Sequence, residues 1–190
     1  MKLLEDRILR DGKIFPGDVL KVDSFLNHRI DVGFLCEIGK EFHRLYQNEG
    51  VNLILTVEAS GIGVACLAAA EFGCPVVFAK KSKTINIGDN NWSAVAHSYT
   101  HGTDNTLLVS KDYLGKHDRV LILDDFLANG CAATALAEIC KQAGATVVGI
   151  GAVIEKTYQK GGDTLRKQGF RVESLARIAS MSPEDGIEFC

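Results

Sequence analysis

The chain has 190 residues, a formal net charge of -3 and a sequence pI near 6.0. This length predicts one domain whose core is large enough to fold without disulfide bonds. The acidic balance lacks the basic footprint that nucleic acids and anionic membranes require, so we expect neither partner. The opening residues, MKLLEDRILRDGK, resemble neither a secretory signal nor a transit peptide. Even the most apolar region, residues 51–72, carries Glu58, Ser60 and Glu71, and no bilayer span is predicted.

The cysteines and histidines indicate a protein with reduced thiols and no metal site of its own. The six cysteines are Cys36, Cys66, Cys74, Cys131, Cys140 and Cys190, and none forms a C-x-x-C pair. Their apolar or helical surroundings predict reduced, mostly buried thiols in a cytoplasmic protein. The five histidines show no ligand spacing on a predicted helix, so no protein metal site is expected.

The first half of the chain alternates helices and strands. An amphipathic N-terminal helix is expected to stop at Gly12, and Leu3, Leu4, Ile8 and Leu9 can serve either the core or a dimer interface. Asp31 is placed to cap a helix that ends near Gly50. The stretch NLILTVEASGIG predicts a buried strand with a turn of small residues, followed by a helix over residues 64–72.

The second half continues the alternation after one interruption. CPVVFAKK, residues 120–123 and TVVGIGAVI predict three further strands, the last followed by a polar stretch over residues 155–162. This order predicts an α/β fold with a parallel sheet flanked by helices. Residues 82–116 interrupt this alternation of strands and helices with two possible short strands, at 94–99 and 106–111, and a polar tip. Such an excursion is typical of a lid or binding loop, and we expect a mobile hood here.

The stretch VLILDDFLANGCAAT, residues 120–134, carries the clearest chemical signal. Four apolar residues end on Asp124 and Asp125, and the small residues that follow lead into a helix, so we interpret residues 124–132 as a strand-to-helix turn at the ligand-binding edge of a sheet. Backbone N–H groups and the helix dipole at such a turn favour phosphate. Paired carboxylates can accept hydrogen bonds from adjacent ribose hydroxyls. The pattern thus describes a ribose 5-phosphate site, although two acids that merely cap a strand and a helix would look the same.

This stretch resembles the phosphoribosyl pyrophosphate motif of the type I phosphoribosyltransferases, which is an apolar run, two acids and a loop rich in Thr and Gly. Together with VLKVDSFLNHRID and VIEKTYQKGG, it is similar to the bacterial branch of that family that uses xanthine. The likeness covers nearly the whole chain. Cys131 departs from the pattern, since a polar residue is expected there, and phosphate recognition would then rest on backbone amides and Asn129.

The resemblance implies transfer of a 5-phosphoribosyl group from phosphoribosyl pyrophosphate to xanthine in purine salvage. It implies one domain over residues 1–190, with a hood for the purine built from the N- and C-terminal segments, and a homodimer. It also implies Mg²⁺ bound through phosphoribosyl pyrophosphate. The implied phosphoribosyl pyrophosphate site consists of Asp124, Asp125, Ala128, Asn129, Gly130, Cys131 and Ala132, and the implied xanthine site consists of Leu20, Asn27 and Lys156. No catalytic acid or base is implied.

The residues themselves allow a plainer interpretation at each purine position. Lys156 suits an oxopurine that loses a proton near neutral pH, but a solvated loop lysine is the commoner case. Asn27 can read a purine edge or simply occupy a turn. Leu20 can line the base pocket or belong to the core.

Two other turns carry weaker signals for the leaving diphosphate. In VEASGIG, Ala59, Ser60 and Gly61 can present amides and a hydroxyl to it. Lys80 and Lys81, at the end of the third strand, can neutralise diphosphate or form an ordinary solvated edge. A dinucleotide fingerprint is set aside, because the third glycine and the following acidic residue are missing.

Three other functions are compatible with parts of the pattern. A phosphoribosyltransferase for guanine, hypoxanthine or adenine would differ from one for xanthine by a few contacts in the purine pocket. A regulator that senses phosphoribosyl pyrophosphate would need a DNA-binding segment and a basic surface, and neither is apparent. A receiver or flavodoxin-like domain would not explain the long excursion.

Overall fold

The computed structural model describes residues 1–81, 90–98 and 103–190. The helices are α1 (Lys2–Asp11), α2 (Val32–Tyr46), α3 (Gly61–Phe72), α4 (Cys131–Ala143) and α5 (Gly161–Lys167), with single turns at Asp23–Asn27, Gln47–Glu49 and Thr157–Gln159. The strands are β1 (Lys13–Phe15), β2 (Val19–Lys21), β3 (Leu53–Val57), β4 (Val76–Ala79), β5 (Asn91–Ser98), β6 (Thr103–Ser110), β7 (Arg119–Leu127), β8 (Thr146–Lys156), β9 (Val172–Ser182) and β10 (Gly186–Phe189).

A central sheet has the strand order β10-β9-β8-β7-β3-β4. All its neighbouring pairs are parallel except β9 and β10, which are antiparallel. The predicted parallel α/β sheet is therefore confirmed, with an antiparallel strand added at one edge. Parallel strands end at the same side of a sheet, so the segments that follow β3, β4, β7 and β8 meet along one edge.

Helices cover both faces of this sheet, because its central strands are apolar on both sides. On β7, Leu121 and Leu123 pack in one core cluster with residues of α2 and α3. Val120 and Ile122, which alternate with them, pack in a second cluster with residues of α4. The four consecutive apolar residues of β7 thus serve two cores.

The N-terminal half follows its predicted helix signals. Gly12 caps α1, and Leu4 and Ile8 are fully buried, whereas Leu3 and Leu9 are 51% and 55% exposed. One face of α1 therefore packs in the core, and its other face exposes Leu3 and Leu9. At the start of α2, the side chain of Asp31 accepts a hydrogen bond from the backbone N–H of Phe34 at 3.2 Å, as the capping prediction requires.

The excursion over residues 82–116 contains the antiparallel hairpin β5–β6. Its first strand packs on α4, where the Gln142 side chain donates to the Ser93 carbonyl at 2.9 Å. The indole N–H of Trp92 donates to the Leu114 carbonyl at 3.1 Å. Residues 82–89 and 99–102 lie outside the described residues, and the predicted mobility of this hood stays a prediction.

The two ends of the chain meet in space. The hairpin β1–β2 and α1 both contact β9, and the N-terminal ammonium donates to the carbonyl of Leu175. The sequence analysis identified none of β1, β2, β9 and β10. This contact brings the N-terminal and C-terminal segments to the same side of the sheet.

The cysteine prediction is wrong in one respect. Only Cys140 is buried; Cys36, Cys74 and Cys131 are partly exposed, and Cys66 and Cys190 are exposed. Apolar neighbours in the sequence did not secure burial, because several of these side chains lie on the outer faces of helices. Within residues 1–81, 90–98 and 103–190, no helix is long and apolar enough to cross a membrane.

Tyr46 joins α2 to the sheet through a buried hydrogen bond, and its removal gives a first testable prediction. Its hydroxyl donates to the Ile150 carbonyl on β8 at 2.9 Å, and its side chain is fully buried. We expect Tyr46→Phe to lower the free energy of unfolding by about 1 kcal/mol, because the carbonyl loses its donor. Urea denaturation followed by circular dichroism measures the change, and equal midpoints for variant and wild type would contradict it.

Candidate active site

The two acidic residues lie inside β7 rather than in the turn after it. The sequence interpretation began the turn at Asp124, but Asp124 and Phe126 pair with Ala152 and Ile154 of β8, so the strand continues to Leu127. Pairing with the long neighbouring strand extends β7 past the point where its apolar run ends. The turn proper is thus shorter than predicted and begins at Ala128.

Asp125 accepts hydrogen bonds from two distant segments. The Asn27 amide donates to its Oδ2 at 2.9 Å, and the Ser60 hydroxyl donates to its Oδ1 at 3.0 Å. Its side chain is 6% exposed. The fold therefore joins one predicted purine residue, one predicted ribose residue and one predicted diphosphate residue through a single carboxylate.

Asp124 is in a less favourable electrostatic setting. Its Oδ1 accepts a hydrogen bond from the backbone N–H of Asp125 at 2.9 Å. Withdrawal from solvent and then the neighbouring Asp125 carboxylate raise the pKa of Asp124 well above its usual range, while the Lys81 charge opposes this shift. Hydrogen bonds or cations supplied by a ligand would stabilise the ionised form.

Residues 128–132, here called the phosphate loop, turn the chain from β7 into α4. Gly130 has φ +81°, a left-handed conformation that glycine adopts without steric cost. The Asn129 side-chain oxygen accepts a hydrogen bond from the Cys131 N–H at 3.2 Å. The predicted phosphate ligand Asn129 thus holds one of the loop's own amides in this structure.

A cavity of about 240 Å³ lies between the phosphate loop and the β5–β6 hairpin. It is lined by both acids, three phosphate-loop residues and the candidate diphosphate residues Ser60 and Lys81, the full set being Val57, Ser60, Lys81, Ala96, Asn105, Leu107, Asp124, Asp125, Asn129, Cys131 and Ala132. The Lys81 backbone N–H donates to the Glu58 side chain at 2.7 Å, which fixes the segment that follows β4. One cleft can therefore contact both the anionic groups and the hydroxyl groups of a single ligand.

The other predicted purine residues occupy different settings. Lys156 ends β8; its ammonium donates to the Asp18 carbonyl in the β1–β2 turn and lies 5.7 Å from the Phe126 ring centroid. Burial lowers the pKa of Lys156. Leu20 is 7% exposed and belongs to the core cluster. Lys156 is thus close to the strand that carries Asp125, and Leu20 has the packing of a core residue.

Glu155 and the glycines that follow Lys156 lie next to the candidate site, and the sequence analysis did not single them out. The sequence analysis assigned residues 155–162 to a polar stretch, but Glu155 belongs to β8 and is 1% exposed. Its carboxylate forms two hydrogen bonds of 2.9 Å with Arg166. The adjacent glycines in QKGG were the available signal, because paired glycines often mark a close backbone approach.

The described residues contain no group of three or more His, Cys, Asp and Glu side chains arranged to hold a metal ion. Asp124 and Asp125 offer carboxylate oxygens, which are the ligand type that Mg²⁺ prefers. The donor set fits an ion that is held mainly by a bound ligand's own oxygens.

The raised pKa of Asp124 leads to a stability prediction. An acid whose pKa is raised in the folded state destabilises that state increasingly as the pH rises from the ordinary pKa to the raised one, and the penalty stays constant above it. Asp124→Asn keeps the acceptor for the Asp125 N–H and removes this cost. We expect the variant without ligand to gain about 1 kcal/mol of unfolding free energy at pH 8 and less at pH 4.5. Denaturant unfolding at both pH values measures this, and an equal gain at both would contradict it.

Comparison with protein-family models gives a match to the phosphoribosyl transferase domain over residues 34–178. A curated relative named xanthine phosphoribosyltransferase, from Lachnoclostridium phytofermentans, is 53% identical over 186 residues, which is 98% of this chain and 96% of that protein. Proteins of the same name from Ruminiclostridium cellulolyticum and Bacillus cereus are each 51% identical over 181 residues, with 95% of this chain covered and 95% and 92% of theirs.

Solved structures share the fold at lower sequence identity. The APRTase from Giardia lamblia, complexed with 9-deazaadenine, superposes with a TM-score of 0.77 at 22% identity and covers 92% of this chain and 97% of its own. Adenine phosphoribosyltransferase from Saccharomyces cerevisiae superposes with a TM-score of 0.76 at 19% identity, with 92% and 99% covered. Since the matched domain includes β3, β7 and the phosphate loop, and the relatives match from end to end, the chain belongs to the phosphoribosyltransferase family.

Proposed function

We propose that this protein transfers the 5-phosphoribosyl group of phosphoribosyl pyrophosphate to xanthine, forming xanthosine 5'-monophosphate and pyrophosphate. The observation that carries the proposal is the cleft in which Asp124, Asp125, the phosphate loop, Ser60 and Lys81 meet. Curated relatives that match nearly the whole chain are named xanthine phosphoribosyltransferase. The names of these relatives support xanthine, rather than another purine, as the acceptor.

In this proposal, the phosphate loop binds the 5'-phosphate and the acids bind the ribose. Backbone N–H groups at the start of α4, a helix of 13 residues, add their dipole to the phosphate contacts. Asp125 already accepts two hydrogen bonds, and a carboxylate has room for about four, so ribose hydroxyls can still be accommodated. Cys131 contributes its backbone and needs no side-chain contact.

Lys156, Asn27 and Leu20 would hold xanthine beside the ribose. Xanthine carries two carbonyl groups and loses a proton readily, so the Lys156 ammonium favours it over purines with less negative charge. Asn27 donates one amide hydrogen to Asp125 and keeps a second hydrogen and its carbonyl for a purine edge. Leu20 contributes through the apolar packing of the hood.

Mg²⁺ would be bound through the diphosphate of phosphoribosyl pyrophosphate, with Asp124 or Asp125 as the available protein carboxylates. The ion supplies charge neutralisation for the leaving pyrophosphate. Lys81 adds a positive charge at the same cleft, while the Ser60 hydroxyl donates to Asp125 and helps to hold that carboxylate.

Catalysis then depends on positioning. Displacement at the anomeric carbon develops positive charge on the ribose, which the Asp124 and Asp125 carboxylates favour. The residues over 82–116 would exclude water from the reacting sugar, since phosphoribosyl pyrophosphate can otherwise be hydrolysed. The hood formed by the two ends of the chain would cover the purine.

A cytoplasmic homodimer is part of the same proposal. The exposed apolar residues Leu3 and Leu9 on α1 are candidates for burial between subunits. Size-exclusion chromatography with light scattering distinguishes a dimer from a monomer.

The decisive experiment compares xanthine, guanine, hypoxanthine and adenine as acceptors with phosphoribosyl pyrophosphate and Mg²⁺, by following nucleotide absorbance. We expect the highest kcat/KM with xanthine. A higher value with another purine would replace the proposed substrate. Binding of phosphoribosyl pyrophosphate without turnover of any purine would indicate a sensor.

A further inference from the structure

The phosphate loop is in close backbone contact with the segment that follows Lys156. The Gly161 N–H donates to the Ala128 carbonyl at 3.0 Å. A Cβ atom on Gly161 would lie 2.3 Å from that oxygen and 2.5 Å from both the Asn129 carbonyl carbon and the Gly130 nitrogen. Any side chain at position 161 would therefore displace the loop.

The contact is made by glycine on both sides. Gly130 has φ +81°, and a Cβ atom there would lie 3.2 Å from the Gly161 Cα. Backbone atoms cannot rotate away as a flexible side chain can. The separation of the two segments is therefore set by their backbones alone.

Residues 155–162, here called the brace, are held near their start by the side chains of Glu155 and Thr157. Glu155 is 1% exposed and accepts two hydrogen bonds of 2.9 Å from Arg166 of α5. Burial opposes ionisation of Glu155, but hydrogen bonds to its carboxylate and the positive charges of Arg166 and Arg177 together outweigh burial and lower its pKa. The Thr157 hydroxyl donates to the Ile178 carbonyl on β9 at 2.9 Å.

A second glycine lets the chain pass over this ion pair. A Cβ atom on Gly162 would lie 1.9 Å from the Glu155 Oε1 and 2.6 Å from an Arg166 nitrogen. The ion pair thus packs against Gly162, the neighbour of the glycine that contacts the phosphate loop.

We infer that Gly161 is a positioning residue for phosphoribosyl pyrophosphate, held by the Glu155–Arg166 pair and setting the conformation of the phosphate loop. This inference rests on the proposed function, in which that loop binds the 5'-phosphate. Gly161 touches no substrate and acts through Ala128, Asn129 and Gly130. Because the brace includes Lys156, one short segment supports both substrate sites.

The test is Gly161→Ala, with Gly33→Ala in the first turn of α2 as the matched control, because a Cβ atom at Gly33 would meet only the Asp31 Oδ1, at 3.8 Å. Ribose 5-phosphate binding is measured by calorimetry, and the KM values for phosphoribosyl pyrophosphate and xanthine by steady-state kinetics. We expect Gly161→Ala to weaken ribose 5-phosphate binding and raise the KM for phosphoribosyl pyrophosphate roughly 10- to 100-fold. The KM for xanthine should change less than about threefold, and Gly33→Ala should match wild type.

Each outcome decides a separate point. Wild-type protein that binds neither ribose 5-phosphate nor phosphoribosyl pyrophosphate would refute the proposed function, and this inference with it. If wild type binds both and Gly161→Ala binds them equally well, the positioning role alone is refuted. Parallel rises in both KM values would also refute it, since they indicate general damage.

If Gly161→Ala shows no cooperative unfolding transition and is therefore not folded, Arg166→Lys tests the positioning role instead. This change leaves both glycines intact but replaces the two-point contact with Glu155 by a single charge. We expect a shift of the same kind, about tenfold in ribose 5-phosphate affinity with little change for xanthine. Unchanged affinity in a folded Arg166→Lys protein would overturn the inference.

Discussion

Replacing Asp125 with asparagine is expected to lower kcat/KM for phosphoribosyl pyrophosphate roughly 100- to 1,000-fold, or about 3–4 kcal/mol. Asp125 accepts hydrogen bonds from Asn27 and Ser60 within the protein. The asparagine amide would turn N–H groups toward one of these donors. It would also remove the negative charge that favours ribose hydroxyls and developing positive charge on the sugar.

A matched control for this change is Glu138→Gln, because Glu138 is exposed on α4 and its carboxylate makes only a 4.0 Å contact with Lys141. We expect this variant to keep wild-type kinetics. Circular dichroism should confirm that both variants are folded. An Asp125→Asn enzyme within about threefold of wild type would rule out a ribose-binding role, since lost charge-assisted hydrogen bonds cost more than that.

Substituting Lys156 with alanine is expected to lower kcat/KM for xanthine about 100-fold and to lower it less for guanine. The Lys156 ammonium is the charge that favours an acidic dioxopurine, and guanine gains less from it. The change also removes a hydrogen bond to the Asp18 carbonyl, so unfolding should be measured alongside the kinetics. Lys141→Ala is the control, since this exposed lysine lies on α4 with only a 4.0 Å contact to Glu138.

The pH dependence provides a second readout for Lys156. Burial lowers its pKa, so the ammonium loses its proton below the 10.5 of an ordinary lysine. The rate with xanthine should therefore fall at alkaline pH, and Lys156→Arg should move this fall to higher pH because arginine stays charged. Equal losses with xanthine and guanine in Lys156→Ala, with an unchanged alkaline limb, would contradict the selectivity role.

Local signals located most of the regular elements. Asp31 predicted the start of α2 because a carboxylate before the first turn satisfies a helix N–H, and it does so for Phe34. The apolar runs at β3, β7 and β8 predicted strands covered on both faces. By contrast, β9 and β10 were missed, although Asp185 and Gly186, where β10 begins, form a typical hairpin signal. Their mixed burial gives no clear apolar run.

The candidate site was likewise predictable where its residues are neighbours in the sequence and not where they depend on tertiary contacts. Asp124, Asp125 and the phosphate loop are neighbours in sequence, and their residue types alone predicted a ribose 5-phosphate site. The extent of β7 was misjudged, because pairing with β8 continues beyond the apolar residues that signal a strand. The three purine candidates came from the family resemblance, and the structure places Leu20 in the core and Lys156 near Phe126.

The sequence by itself determined the alternation of helices and strands and the chemistry at the end of β7, because periodicity, caps and small-residue turns act over a few residues. Only the tertiary structure decided which distant groups meet. Asn27 binds Asp125 across 98 positions, Lys156 reaches Asp18 across 138, and Gly161 lies against Ala128. Such contacts depend on strand order, register and the close packing of whole elements, and no local pattern encodes these.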